Sequence, residues 1–173
     1  MEETYNISVF TENTIGILNR ITIIFTRRHL NIESITASES EVEGVYRYTI
    51  VVKTSFDKVQ KVVAQIEKQI EVIKAFYHVN DDVVYQELAL YKIPTSSFIE
   101  GSVERLVRAH YARILTVEKE FTIIEKTGQP EELMSLFDEL KGFGILEYVK
   151  SGRVAITKPM KTLEKYLEEL SNN

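Results

Sequence analysis

The apolar residues of this chain change period in a set order, and that order occurs twice. Along residues 4–10, β-branched and aromatic residues alternate with polar ones, the period of a half-buried strand. The next apolar set, Ile17, Leu18, Ile21, Ile24 and Phe25, falls on one face of a helix. Two strand-like runs follow at residues 31–40 and 45–54, parted by a turn at Gly44. Helical spacing returns in Val59, Val62, Val63, Ile66 and Ile70, and residues 72–79 close the set as a strand. The order is βαββαβ.

From Gln86 the order recurs without obvious sequence identity. Residues 86–95 read as a strand, Val103, Leu106 and Val107 as a helical face, and residues 112–120 and 121–128 as two strands. Pro130 stands where a first helical residue belongs, and Leu133, Leu136, Phe137 and Leu140 complete that helix. Residues 145–152 and 153–158 supply a last strand or hairpin, and Leu163, Tyr166, Leu167 and Leu170 a terminal amphipathic helix. The expected fold is α+β: two tandem ferredoxin-like (split βαβ) units, residues 1–80 and 81–173, joined near residues 80–85.

That fold hosts enzymes, RNA binders, metal chaperones and ligand sensors, so residues must choose among them. Cysteine is absent, which excludes disulfide scaffolds, thiolate metal sites, CxxC centres and cysteine nucleophiles. A net charge of −5, with no glycine-aromatic run on a central strand, argues against nucleic acid. An acylphosphatase-like enzyme needs a glycine-rich phosphate loop, and no short segment carries several glycines. His29, His78 and His110 lie far apart with no shared metal or triad spacing, and the pairs Glu131/Glu132 and Glu168/Glu169 fall on charged helix faces. The start of the chain lacks the pattern of a secretory signal, and no apolar run approaches membrane-span length. The cytoplasm is the expected location, with no membrane partner.

One loop stands apart. Asn13, Thr14, Ile15 and Gly16 join the first strand to the first helix, which opens at Ile17 and Leu18. A helix start offers unpaired N–H groups and partial positive charge to a carboxylate, and glycine permits close approach. Asn13 adds an amide for an ammonium or carboxylate, and Ile15, Ile17 and Leu18 an apolar wall. A small aliphatic amino acid has these needs. The same residues also suit a plain helix start, with Asn13 as the cap and Gly16 tightly packed. The residues alone leave both open.

The run Glu12-Asn13-Thr14-Ile15-Gly16-Ile17-Leu18-Asn19-Arg20, with Phe25, Arg28 and Leu30-Asn31-Ile32-Glu33-Ser34-Ile35, resembles the ACT domain of the acetolactate synthase (acetohydroxyacid synthase) small regulatory subunits. Residues 86–93 resemble the first strand of that family's C-terminal domain, and Tyr148-Val149-Lys150-Ser151-Gly152-Arg153-Val154-Ala155-Ile156 its closing strand pair. His29 departs from the glycine common at its position, and Thr116 from a frequent aspartate. The resemblance implies a non-catalytic subunit of branched-chain amino acid biosynthesis. Such a subunit activates a large catalytic subunit, which carries thiamine diphosphate, Mg and FAD, and confers feedback inhibition by valine. It also implies an ACT homodimer with valine at the two-fold interface, held by Asn13, Thr14, Ile15, Gly16, Ile17 and Leu18 of one chain and Asn31 and Ile32 of the other. A free-standing ACT-type amino-acid sensor acting on a different enzyme is the alternative.

Overall fold

The computed structural model describes residues 2–99, 102–158 and 163–171, without the side chains of 99, 166 and 169–171. The chain forms two compact units, residues 1–84 with 153–173, and residues 85–152.

In the first unit, β1 (Glu3–Glu12), α1 (Ile17–Arg27), β2 (Ile32–Glu39), β3 (Val45–Thr54), α2 (Phe56–Ile66) and β4 (Val72–Val79) follow the expected order. The sheet is antiparallel in the order β2-β3-β1-β4, leaving β2 at an edge. One face of β1, with Tyr5, Ile7 and Val9, packs against Ile21 and Phe25 of α1 and Val59, Val62 and Ile66 of α2. Burying one such side chain is worth about 1.5–3 kcal/mol, so the two helical faces suffice to fix this layer. The helical pattern overreaches at both ends. Helix α2 stops at Ile66 and Ile70 is exposed in the following turn, while Leu18 is 45% exposed.

The other face of β1 carries Asn6, Ser8 and Phe10, and it too is buried. The covering segment comes from the far end of the chain: Arg153, β9 (Val154–Thr157) and α6 (Leu163–Ser171), with Leu163 and Leu167 packed near Phe10, Val45 and Phe76. The Arg47 guanidinium donates to the Ala155 carbonyl at 2.6 Å and lies 5.4 Å from the Phe10 ring centre. Desolvation lowers its pKa from the usual arginine range. These contacts correct the expectation that residues 81–173 form one C-terminal domain: compactness divides the chain at residues 84 and 152, and 153–173 returns to the first unit. Strand β9 pairs not with the preceding strand as a hairpin but with β5 (Val83–Pro94), whose first two residues belong to this unit. Of the terminal helix pattern, the Tyr166 and Leu170 side chains lie outside the described residues.

The second unit repeats the topology. It comprises β5, α3 (Thr95–Ile99), α4 (Ser102–Ala109), β6 (Arg113–Val117), β7 (Phe121–Gly128), α5 (Pro130–Leu140) and β8 (Glu147–Lys150), with strand order β6-β7-β5-β8. Helix α5 begins as its sequence requires: Pro130 opens it, and the Gln129 N–H donates to Glu132 Oε2 at 2.7 Å. Its core joins Ala89, Tyr91 and Ile93 to Val103, Val107 and Leu136. The phenol of Tyr91, fully buried, donates to the Leu133 carbonyl at 2.7 Å. Among the described residues no helix is long and apolar enough to cross a membrane, and no cluster of three or more His, Asp or Glu could hold a metal.

Candidate effector site

The loop that leaves β1 is fixed by backbone bonds. The Glu12 N–H donates to the Glu71 carbonyl at 2.9 Å, Thr14 N–H to Glu12 O at 3.1 Å, and Ile17 N–H to Thr14 O at 3.4 Å. Arg20, in the first turn of α1, pairs with Glu71 at 2.7 Å and so ties the helix start to the turn just ahead of β4. The cap of α1 is Gly16 itself, at φ 86°, and no side chain caps the helix. Asn13 is exposed and does not fill that role. A Cβ on Gly16 would meet nothing within 4 Å, so the glycine answers to its left-handed backbone and not to tight packing. Both halves of the plain helix-start reading therefore fail.

What remains is an open helix start. The Arg20 N–H reaches Gly16 O at 3.1 Å, but among the described residues the N–H groups of Ile15, Gly16, Leu18 and Asn19 have no protein acceptor. Four donors without acceptors at the positive end of an eleven-residue helix suit a carboxylate. Ile15 is fully exposed and Leu18 45% exposed beside them, while Ile17 is buried in the core. The Thr14 Oγ1 is buried without a hydrogen-bond partner among the described residues, a polar atom that sequence inspection could not distinguish from any loop hydroxyl.

Asn31 and Ile32 are placed elsewhere. Asn31 is exposed just before β2, and Ile32 is partly buried against the core. Sheet register fixes their distance from the loop. Glu12 pairs with Val45 on β3, whereas Ile32 pairs with Val52. From Val45 to Val52 a strand advances about 23 Å at ~3.3 Å per residue. Asn31 and the Gly16 loop therefore occupy opposite ends of one chain's sheet.

His29 lies between these two segments, and its departure from glycine has a structural meaning. It is exposed and adopts φ 54°. The N–H of Leu30 returns to Phe25 O and that of His29 to Thr26 O, both at 3.0 Å, which ends α1 in a left-handed turn. Among the described residues the second unit offers no counterpart to the open loop: α3 follows β5 directly at Thr95, whose hydroxyl donates to the Glu118 carbonyl at 2.7 Å. The polar group most at odds with sequence expectation is Arg153 with Asn6 and Asn80. Its only advance signal is the polar alternation within β1.

Comparison with known proteins agrees with this architecture. Residues 7–74 match the model of the AHAS small subunit-like ACT domain, and residues 86–159 that of the small subunit of acetolactate synthase. The acetolactate synthase small subunit of Bacillus subtilis is 33% identical over 153 residues, covering 88% of this chain and 89% of the relative. That of Mycolicibacterium smegmatis is 34% identical, covering 90% and 91%. The crystal structure of the small subunit from Thermotoga maritima superposes with a TM-score of 0.82 at 28% identity, covering 92% of this chain and 99% of that one. On this likeness in sequence over most of both chains, and in fold through both units, the chain belongs to the acetolactate synthase small-subunit family, as a non-catalytic subunit built on an ACT domain.

Proposed function

We propose that this chain raises the activity of a thiamine-diphosphate-dependent large catalytic subunit and makes it sensitive to feedback by valine, bound across a two-fold dimer of ACT domains in the cytoplasm. The observation that carries the dimeric site is the register: Asn31 and the Gly16 loop stand at opposite ends of one sheet, so a ligand touching both must draw on two chains. Edge strand β2 is free to pair antiparallel with its copy. Such pairing reverses the partner, and a register centred on Ile35 would bring its Asn31 level with Glu39 of this chain. Glu39 shares the row of Tyr46 with Thr11, at the loop end of the sheet.

In this arrangement the valine carboxylate accepts from the free N–H groups at the start of α1, and Asn13 or the partner's Asn31 meets the ammonium. Ile15 and Leu18, exposed in the single chain, cover the aliphatic side chain and contribute the apolar burial. Valine that bridges two chains shifts the population toward one dimer arrangement. Inhibition follows if the catalytic subunit prefers the other, with an ordinary coupling of about 1–3 kcal/mol, or roughly 5–150-fold.

Reconstitution with the large subunit tests this reading. Acetolactate formation is expected to rise when the chain is added and to fall with valine in the micromolar to millimolar range. Activity indifferent to the added chain overturns the reading, and activation with no response to valine, leucine or isoleucine overturns its effector half.

A further inference from the structure

Arg153 touches four residues of the first unit while being 6% exposed. Its Nη1 donates to Asn6 Oδ1 on β1 at 3.0 Å and to Asn80 Oδ1 at 2.9 Å, in the short 3-10 turn ahead of β5. Asn6 Nδ2 also donates to Asn80 Oδ1, at 2.9 Å. The backbone of Arg153 faces edge strand β2. Its carbonyl accepts from Thr36 Oγ1 at 2.7 Å, and its N–H points at Ser34 Oγ at 3.5 Å.

All of these groups lie in one compact unit, but Arg153 is peptide-bonded to Gly152, where the other unit ends. Asn80 stands just ahead of Tyr85, where that unit begins. The Arg153–Asn80 hydrogen bond therefore clasps the outgoing and returning crossings of the chain. Two residues before Arg153, Ser151 belongs to the second unit: its N–H donates to Leu88 O at 2.8 Å, and its Oγ accepts from the Leu88 N–H at 2.9 Å.

We propose that Arg153 is the positioning residue through which a change at the β2 edge reaches the second unit, by way of Thr36, the Arg153 backbone and the Ser151–Leu88 pairing. For its trigger this rests on the effector reading above, which places the ligand across the β2 edge. A buried, hydrogen-bonded guanidinium does not yield gradually. Breaking one bond leaves a desolvated donor, so the cluster favours discrete arrangements over a continuous stretch. Displacing Thr36 thus moves the returning chain as a body or breaks the clasp, and either alters the restraint on Gly152 and Ser151.

Hydrogen–deuterium exchange on the full chain tests the inference without requiring an effector. Thr36→Val removes the hydroxyl and keeps the strand. The exchange rates of the Leu88 and Ser151 amides are expected to rise about fivefold or more, the low end of ordinary coupling, with the amides around Ile124 on β7 unchanged. Arg153→Lys, which cannot span the same partners, is expected to do the same. Unchanged Leu88 and Ser151 exchange in Thr36→Val overturns the proposal, as does an equal rise on β7, which would mean general loss of stability. Addition of L-valine to the parent separates the two ideas. If valine moves no amide while Thr36→Val moves those of Leu88 and Ser151, the effector reading fails and the coupling holds. If valine protects β2 and Thr36→Val leaves Leu88 and Ser151 unmoved, the coupling fails and the effector reading holds.

Discussion

His29 and Tyr111 hold the same left-handed conformation at the same place in two different units, with φ 54° and 52°. Each follows the helix that leads into the second strand of its unit, α1 or α4, and the hydrogen bonds around them correspond. Leu30 N–H returns to Phe25 O at 3.0 Å and Ala112 N–H to Val107 O at 2.8 Å, while His29 and Tyr111 reach Thr26 O and Arg108 O at 3.0 and 3.1 Å. The side chain just before each turn reaches the next helix of its unit, α2 or α5: Arg28 donates to Gln65 Oε1 at 2.8 Å, and His110 Nε2 lies 2.8 Å from Glu139 Oε1. Both helices thus end by one geometry that ordinarily uses glycine.

His29→Gly and Tyr111→Gly should therefore each stabilise the chain. A left-handed L-residue costs about 1–2 kcal/mol, and the extra freedom of an unfolded glycine returns roughly 0.5–1 kcal/mol of that. A net gain near ~0.5–1 kcal/mol corresponds to a Tm higher by about 1–4 °C for a chain of this size. Thermal denaturation checks it; a lower Tm for both variants would show that the side chains, not the backbone, decide these turns.

Gly16→Asp and Asn31→Ala are each expected to weaken valine binding by about tenfold or more, equivalent to ~1.4 kcal/mol. Aspartate tolerates the left-handed backbone of Gly16 better than most residues, so its chief effect is a carboxylate set against that of the ligand. Mixed dimers are more telling. A chain carrying Gly16→Asp paired with one carrying Asn31→Ala contains one site with both changes and one with neither, provided each site draws on two chains. Calorimetry on such mixtures should recover valine binding at up to half the parental stoichiometry. No recovery would place each site within a single chain, contrary to the sheet register.

Tyr91 gives the second unit a pH dependence. Burial, with Tyr148 beside it, pushes its phenol well above the ordinary value of 10. The folded phenol stays neutral where the unfolded one ionises, so this contribution is present below pH 10 and is lost as pH rises above it. Tyr91→Phe should cost about 1 kcal/mol near pH 7 by removing the bond to the Leu133 carbonyl, and should flatten the loss of stability above pH 10. Urea unfolding from pH 7 to 11 measures both. An alkaline limb as steep as the parent's would assign the ionisation to another tyrosine.

Much of the fold is legible in the residues because periodicity is local information. Ile21, Ile24 and Phe25 declare a helix face within one and a half turns, and Pro130 declares a helix start by itself. The need for glycine at residue 16 is likewise local. Periodicity misjudges Leu18 and Ile70, because spacing alone does not tell where a helix ends or how far its neighbour covers it. It also misplaces residues 153–173, because their partners are distant in the chain. Asn6 and Ser8 alternate with apolar neighbours as solvent-facing residues do, yet they are buried by a segment that arrives after the whole second unit has been made.

The amino-acid sequence by itself determined the order of two βαββαβ units, a glycine at the start of the first helix, and the resemblance to the family. Tertiary structure alone decided that the Gly16 loop and Asn31 face opposite ends of a sheet, and that Arg153 closes the first unit against Asn6, Asn80 and β2. Local spacing reports which side of an element avoids water. Strand register and the burial of polar groups are set by partners far away in sequence, and no single segment contains both halves of such a pairing.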